Sequence, residues 1–367
     1  MGKKVLIWPS PWNYRLNNDM FNGGYSLRGS YLRSFRLWRE VAEANGFELN
    51  TWDMHDLSEA DVLWFIDLPT HRSTFESARR QAPKAKTVLM ICESPILGPH
   101  FFHRSNQEPF DCVVTYEKVE KDGDNKRYQY FPPLTLEEPE TKIPYPDRKL
   151  LCMVNTNRVE GWFAVRQGGL TGLPVIGRLF NGWDVAASDL LFPTRGDLYS
   201  ERRKLARAAD EFAEDGIEFY GKGWNGEKIS WCPFYVNRPY RCFKKAFVED
   251  KIELFSGFRF TIAFENWRGS RGYIDGYKLF DGFVSGSVPV YLGEERIADY
   301  VPPEAFVDAR HFASYRDLLL YLKSCPQSEW EAMREAGQAF LKSEAAKRFS
   351  DETFAERMVE ILKQVTS

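Results

Sequence analysis

Apolar residues are gathered along the first half of the chain into short runs separated by amphipathic stretches. The runs at 4–8, 47–51, 62–66, 87–92 and 113–116 have the length of β-strands. The run at 87–92 is continuous enough to be covered on both faces. Between the strands, 31–44 carries Leu32, Phe35, Leu37, Trp38 and Val41 at helical spacing, and 73–81 reads as a polar surface helix. Alternation of this kind predicts a parallel sheet with helices packed on it.

The stretch from Phe131-Pro132-Pro133 to Pro144-Tyr145-Pro146 is rich in Pro and Glu and lacks a period, which marks a domain boundary. A second alternating unit follows. It has strands at 149–154, 217–220 and 258–264, helices at 200–214 and 275–284, and a strand at 288–292 that Pro289 shifts toward a sheet edge. Two helices close the chain. One spans 328–341, with Ser328 and Glu331 spaced as a capping box, and the other spans 354–365, with an apolar stripe at 354, 358, 361, 362 and 365. The expected organisation is a domain over 1–148, a second over 149–325, and helices over 326–367 that pack back across the junction. Ligands of such sheets sit at the carboxyl ends of the strands, so the loops after strands are where chemistry belongs.

Composition narrows the class. The 367 residues include 49 Lys and Arg against 52 Asp and Glu, a net charge of −3, which argues against a general nucleic-acid binder. Hydrophobic residues at 43% supply real cores, and aromatics at 15% leave rings to spare for stacking on sugars or bases. No apolar run reaches the roughly 18–20 residues that cross a bilayer. The six cysteines contain no C-x-x-C pair, and the amino terminus has too short an apolar stretch for an export signal. Both point to reduced thiols and a cytoplasmic location, at most in peripheral contact with the inner face of a membrane.

The most informative segment is 258–293, FRFTIAFENWRGSRGYIDGYKLFDGFVSGSVPVYLG, which reads as a strand, a loop, a helix and a second strand. Lys278 falls in the first turn of that helix. A lysine beside the free N–H groups of a helix start suits a phosphate or diphosphate. An ordinary crossover with a surface lysine has the same spacing. Glu93 directly follows the strand at 87–92, so its carboxylate belongs at the cleft, where partial desolvation tunes a general base. A turn-forming Glu before Ser-Pro is the plain alternative.

Several of these stretches resemble glycosyltransferase family 10, the α-1,3/4-fucosyltransferases. FTIAFEN, GYIDGYK and SGSVPVYLG match the family's donor-binding block, VPPEAFVDARHF the stretch after it, and ICESP the family's F-E-S-P. The resemblance covers most of 87–325. It implies a GT-B fold, two Rossmann-like domains facing across a cleft, and inverting transfer of L-fucose or a related 6-deoxyhexose from a GDP-sugar to a glycan or glycolipid hydroxyl. It implies no required cofactor and no metal. By resemblance Glu93 takes the place of the catalytic base. Glu265, Asn266, Tyr273, Tyr277 and Lys278 fall on donor-contacting positions, with Arg202 or Arg203 toward the diphosphate. The family's Thr-Glu-Lys is here Gly276-Tyr277-Lys278, which bears on the identity of the donor sugar. A UDP-sugar transferase of the same fold, and a non-catalytic sugar-nucleotide or glycan-binding protein, are the alternatives.

Weaker signals complete the reading. Trp12, Tyr14 and Tyr25 in the loop after the first strand, with His103, combine aromatic faces and polar groups suited to a carbohydrate acceptor. Asp122-Gly123-Asp124 reads as a tight turn rather than a metal pair. Gly221-Lys222-Gly223-Trp224-Asn225-Gly226 has dinucleotide-loop spacing, but no helix pattern follows it. Arg238, Arg241, Lys244 and Lys245 read as a solvated helix face.

Overall fold

The computed structural model describes residues 2–9, 15–22, 32–133, 143–159, 182–185, 196–229 and 236–367. Two six-stranded sheets, each with parallel pairing throughout, organise the chain. The first comprises β1 (Lys3–Trp8), β2 (Phe47–Thr51), β3 (Val62–Ile66), β4 (Lys86–Ile91), β5 (Cys112–Thr115) and β6 (Arg127–Gln129), in the order β2-β1-β3-β4-β5-β6. The second comprises β7 (Lys149–Val154), β8 (Ile217–Tyr220), β9 (Phe243–Lys245), β10 (Phe258–Gly269), β11 (Val288–Glu294) and β12 (Val307–Asp308), in the order β12-β11-β10-β7-β8-β9.

Alternation along β3 shows how the first sheet is covered. Trp64 meets Trp38 of the helix Leu32–Ala44 at 4.9 Å between rings, whereas Phe65 meets Phe75 of the helix Arg72–Gln81 at 5.6 Å. Adjacent residues of a strand point to opposite faces, so the two helices lie on opposite sides. The last helix, Asp351–Thr366, packs beside Leu32–Ala44, and Phe354, Met358, Ile361 and Leu362 are buried in the first sheet's core. Residues 182–185 also reach the first domain. Trp183 is buried there, its indole N–H donating to the Pro69 carbonyl at 2.9 Å, while Asn106 and the backbone of Asp184 exchange two bonds of 2.8 Å.

Three local expectations are corrected. Pro289 is not in an edge strand: β11 lies between β10 and β12. The ladder to β12 begins at Val290, so a missing N–H at Pro289 removes no bond on that side. The helix expected at 328–341 runs Gln327–Leu341, and its first bond is Trp330 N–H to the Pro326 carbonyl at 3.0 Å, which puts Ser328 inside the helix and leaves the capping box unformed. The helix expected over 200–214 is Tyr199–Ala209, continued as a tighter 3₁₀ turn, Asp210–Asp215, that ends at Gly216 with φ +79°.

Candidate active site

The tip of β4 is held from three directions. Asp67, just past β3, is fully buried, and its Oδ1 accepts the backbone N–H groups of Cys92 at 2.7 Å and Glu93 at 3.2 Å. The Tyr130 hydroxyl donates to the Ile91 carbonyl at 3.1 Å, and the Tyr116 hydroxyl to the Glu93 carbonyl at 3.2 Å. These bonds leave the Glu93 side chain at the junction with the second domain. Burial raises its pKa above the ordinary carboxylate value, and the charge of Asp275 adds to the rise, against the opposing pull of Arg158 and Lys278. All three of these charges belong to the second domain, so the carboxylate lies within electrostatic reach of that half of the molecule.

The facing surface is built at the end of β10 and the start of the helix Gly276–Val284. Glu265 is fully buried; its Oε1 accepts the Asp275 N–H at 3.1 Å, and its Oε2 lies 3.4 Å from the Lys278 ammonium. Burial pushes the Glu265 carboxyl up to about 8, in spite of Lys278. Burial also acts to raise Asp275, but Lys278, paired directly with its carboxylate, leaves it below the ordinary value. The carboxylate paired directly with Lys278 is thus that of Asp275, beside a Glu265 carboxyl biased toward its protonated form. Asp275 was not singled out in the sequence because it sits where a helix cap is expected. Tyr277 is half-buried on the same first turn, its carbonyl accepting from Lys251.

Arg202 and Arg203 diverge. Arg202 is buried and its Nη2 reaches the carbonyls of Phe264 at 2.6 Å and Glu265 at 2.7 Å and the side-chain oxygen of Asn266 at 2.9 Å. It ties the helix Tyr199–Ala209 to the end of β10, and burial lowers its pKa. Arg203 donates to the Arg158 carbonyl. Asn266 extends toward the hydroxyl of Tyr273 at 3.5 Å, and Tyr273 packs edge-on against Tyr116 of the first domain at 5.3 Å. Arg271 and Glu117 cross the same junction at 2.7 Å. Gly272 approaches so closely that a Cβ there would stand 2.9 Å from the Tyr116 carbonyl, and its φ is +84°.

Glu93, Glu265, Asn266, Tyr273 and Lys278 are thus brought to one junction, and Tyr277 shares the first helical turn with Lys278. Trp12, Tyr14 and Tyr25 lie outside the described residues. His103 is half-buried at the start of the short helix Arg104–Gln107. A cavity of about 590 Å³ opens elsewhere on the first domain, lined by Trp8, Trp52, Asp53, His55, Ser73 and Gln81 among others. Phe65, Trp8 and Trp52 form a continuous stack there, at 5.6 and 4.3 Å. Asp122 pairs with Arg357 on a turn through Gly123, at φ +84°. The glycines of 221–226 form a turn after β8, where a Cβ at Gly221 would collide with the Asn155 carbonyl. Arg238 and Arg241 pair with Asp210 and Glu214 at 2.9 and 2.7 Å, and Lys244 and Lys245 lie on the edge strand β9, not on a helix face. No helix of the described residues is long and apolar enough to cross a membrane.

Comparison with known proteins bears on the second domain first. Residues 201–334 match the family model of the glycosyltransferase family 10 (fucosyltransferase) carboxy-terminal region. Over 87 residues the chain is 36% identical to an α-(1,4)-fucosyltransferase of Arabidopsis thaliana, covering 22% of this chain and 21% of that protein. Over 76 residues it is 32% identical to the α-(1,3)-fucosyltransferase FucT of Helicobacter pylori, covering 21% of this chain and 16% of that protein. The matches therefore span about a fifth of the length of these relatives. Among solved structures, an α-1,3-fucosyltransferase with GDP is similar with a TM-score of 0.50 at 12% identity, covering 98% of this chain and 90% of that one. Anabaena HepE in complex with UDP and glucose is similar with a TM-score of 0.51 at 10% identity, covering 99% and 100%. At such identities the likeness is one of fold, and the fold is GT-B.

Proposed function

From the match of residues 201–334 to the glycosyltransferase family 10 carboxy-terminal region we propose that the protein is an inverting glycosyltransferase that moves L-fucose, or a related 6-deoxyhexose, from a GDP-sugar to a glycan hydroxyl. The observation that carries the reading is the position of Glu93. Its half-buried carboxylate, at the tip of β4, lies within electrostatic reach of Asp275 and Lys278 of the second domain.

In this reading the acceptor hydroxyl binds against the first domain, and Glu93 takes its proton as the oxygen attacks the anomeric carbon. The raised pKa makes Glu93 a stronger base than an ordinary carboxylate. The C–O bond to the diphosphate breaks on the opposite face of the sugar, and GDP leaves with the bonding pair. Lys278 and the N–H groups at the start of Gly276–Val284 stabilise the charge that grows on it. Because Lys278 is paired with Asp275 in the unliganded protein, the donor phosphate must share or displace that partner. Arg202 supports the site by fixing the Glu265–Asn266 segment of β10. The aromatic and polar cavity at Trp8 and Trp52 is the acceptor subsite in this account. It opens two strands from β4, about 10 Å away by strand spacing, a reach suited to a sugar beyond the one that reacts.

One observation favours a second reading. A structure bound to UDP and glucose shares the fold as closely as one bound to GDP. Calorimetry of the purified chain with GDP, UDP, ADP and CDP separates the two. Selective GDP binding supports the proposal, whereas preference for UDP, or no binding, removes it. The sugar, the acceptor, and a location in the cytoplasm or at the inner face of a membrane belong to the same proposal. They are tested by donor screening and cell fractionation.

A further inference from the structure

Asp67 has no part in the mechanism above, yet it is unusually constrained. Its backbone is in the left-handed region, φ +58°, one of few non-glycine residues there. Asp adopts that conformation more readily than most residues, still at an energetic cost. The side chain is fully buried; Oδ1 takes two backbone N–H groups, and Oδ2 has no hydrogen-bond partner among the described residues. Its own N–H donates to the Met90 carbonyl at 2.7 Å, which locks the turn to β4. A buried carboxyl with an idle oxygen, in a strained turn, is expensive as scaffolding alone. Both bonds it makes go to the two residues at the tip that carries Glu93.

We propose that Asp67 is the positioning residue for Glu93: its carboxyl gathers the N–H groups of Cys92 and Glu93 and thereby aims the Glu93 side chain across the junction at Asp275 and Lys278. The assignment rests on the transferase reading of that site. Asp67 is surrounded by Glu93, the Cys92 thiol and the phenols of Tyr116 and Tyr130; Glu93 in turn feels Asp67, Cys92, Tyr116 and, from the second domain, Tyr273, Asp275, Arg158 and Lys278. Burial and the charge of Glu93 both favour the protonated form of Asp67. A protonated Asp67 keeps Oδ1 as an acceptor, so an amide is its close mimic.

Two variants separate aiming from folding. Asp67→Gly accepts φ +58° without strain and removes only the carboxyl, whereas Asp67→Asn tolerates the turn and keeps the acceptor oxygen. Each is made in the wild-type and Glu93→Gln backgrounds. The readouts are GDP-fucose turnover, GDP affinity by calorimetry, and the Glu93 titration midpoint by carbon NMR of glutamate-labelled protein, assigned by its loss in Glu93→Gln. Asp67→Gly is expected to lower kcat by about tenfold or more with GDP affinity within about twofold. It should cause no further loss in the Glu93→Gln background and should drop the Glu93 midpoint toward the ordinary value. Asp67→Asn should restore both turnover and midpoint. An unchanged midpoint in Asp67→Gly, an equal loss of turnover in both backgrounds, or a parallel loss of GDP affinity overturns the proposal. A wild type that binds GDP but turns over no donor overturns the transferase reading instead, and the midpoint still decides the role of Asp67.

Discussion

Glu93 and Lys278 come from different domains and feel one another's charge: the carboxylate stands at the tip of β4, and the ammonium on the first turn of the helix after β10, close enough to pull the Glu93 pKa down against burial. Neither domain holds both groups, so the chemistry depends on the junction staying closed. Tyr116 against Tyr273 and Arg271 with Glu117 bridge it.

The first prediction concerns that lysine. Lys278→Ala removes the cation nearest the proposed diphosphate. A charge-assisted hydrogen bond contributes roughly 1.5–3 kcal/mol, so GDP affinity should fall more than about tenfold by calorimetry. Unaltered affinity would mean that the phosphates bind elsewhere.

Glu265 supplies a pH test that needs no substrate. Its carboxyl is held near 8 in the folded protein against an ordinary value of 4.5. The folded state therefore keeps a proton that the unfolded chain releases. The stability this proton contributes is complete below about 4.5 and is lost as pH rises toward 8. Glu265→Gln is neutral at every pH. Thermal denaturation should find the variant gaining on the wild type between those limits, with a level difference above them. A difference independent of pH would show that Glu265 is ionised throughout.

The junction itself can be probed at Gly272. A methyl group there meets the Tyr116 carbonyl at 2.9 Å on a backbone at φ +84°. Gly272→Ala should strain the contact between the domains by about 1 kcal/mol or more and lower turnover more than GDP affinity. Equal effects on both would place the strain within the donor domain.

A pH–rate profile reports on Glu93. A base must be ionised to act, so activity should fall as pH drops through its raised pKa, with the acid limb above the ordinary glutamate value of 4.5. A limb at or below that value would contradict the burial of the carboxylate.

Much of the fold is legible in the sequence. The runs at 62–66, 149–154 and 217–220 carry their strands within their own composition, and the block 258–293 announces its strand, helix and strand. The strands β6, β9 and β12 have two or three residues each, too few for a period. Ser328 misled because Pro326 starts that helix earlier. Asp67 and Asp275 were invisible for another reason. In sequence each is an acidic residue at an element boundary, a common place for a cap or turn. What distinguishes them is a neighbour supplied by the fold: the tip of β4 for Asp67, and Lys278 with Glu93 for Asp275. The lodging of Trp183 in the first domain is likewise a contact across 114 residues that no local pattern records.

The most direct test of the account is GDP-fucose turnover by wild type and Glu93→Gln, with GDP affinity measured on the same samples. The account predicts that Glu93→Gln binds GDP like the wild type and loses transfer by about a hundredfold or more, the usual contribution of a positioned base. A Glu93→Gln protein that transfers as well as the wild type would remove Glu93 from the chemistry and, with it, the central claim.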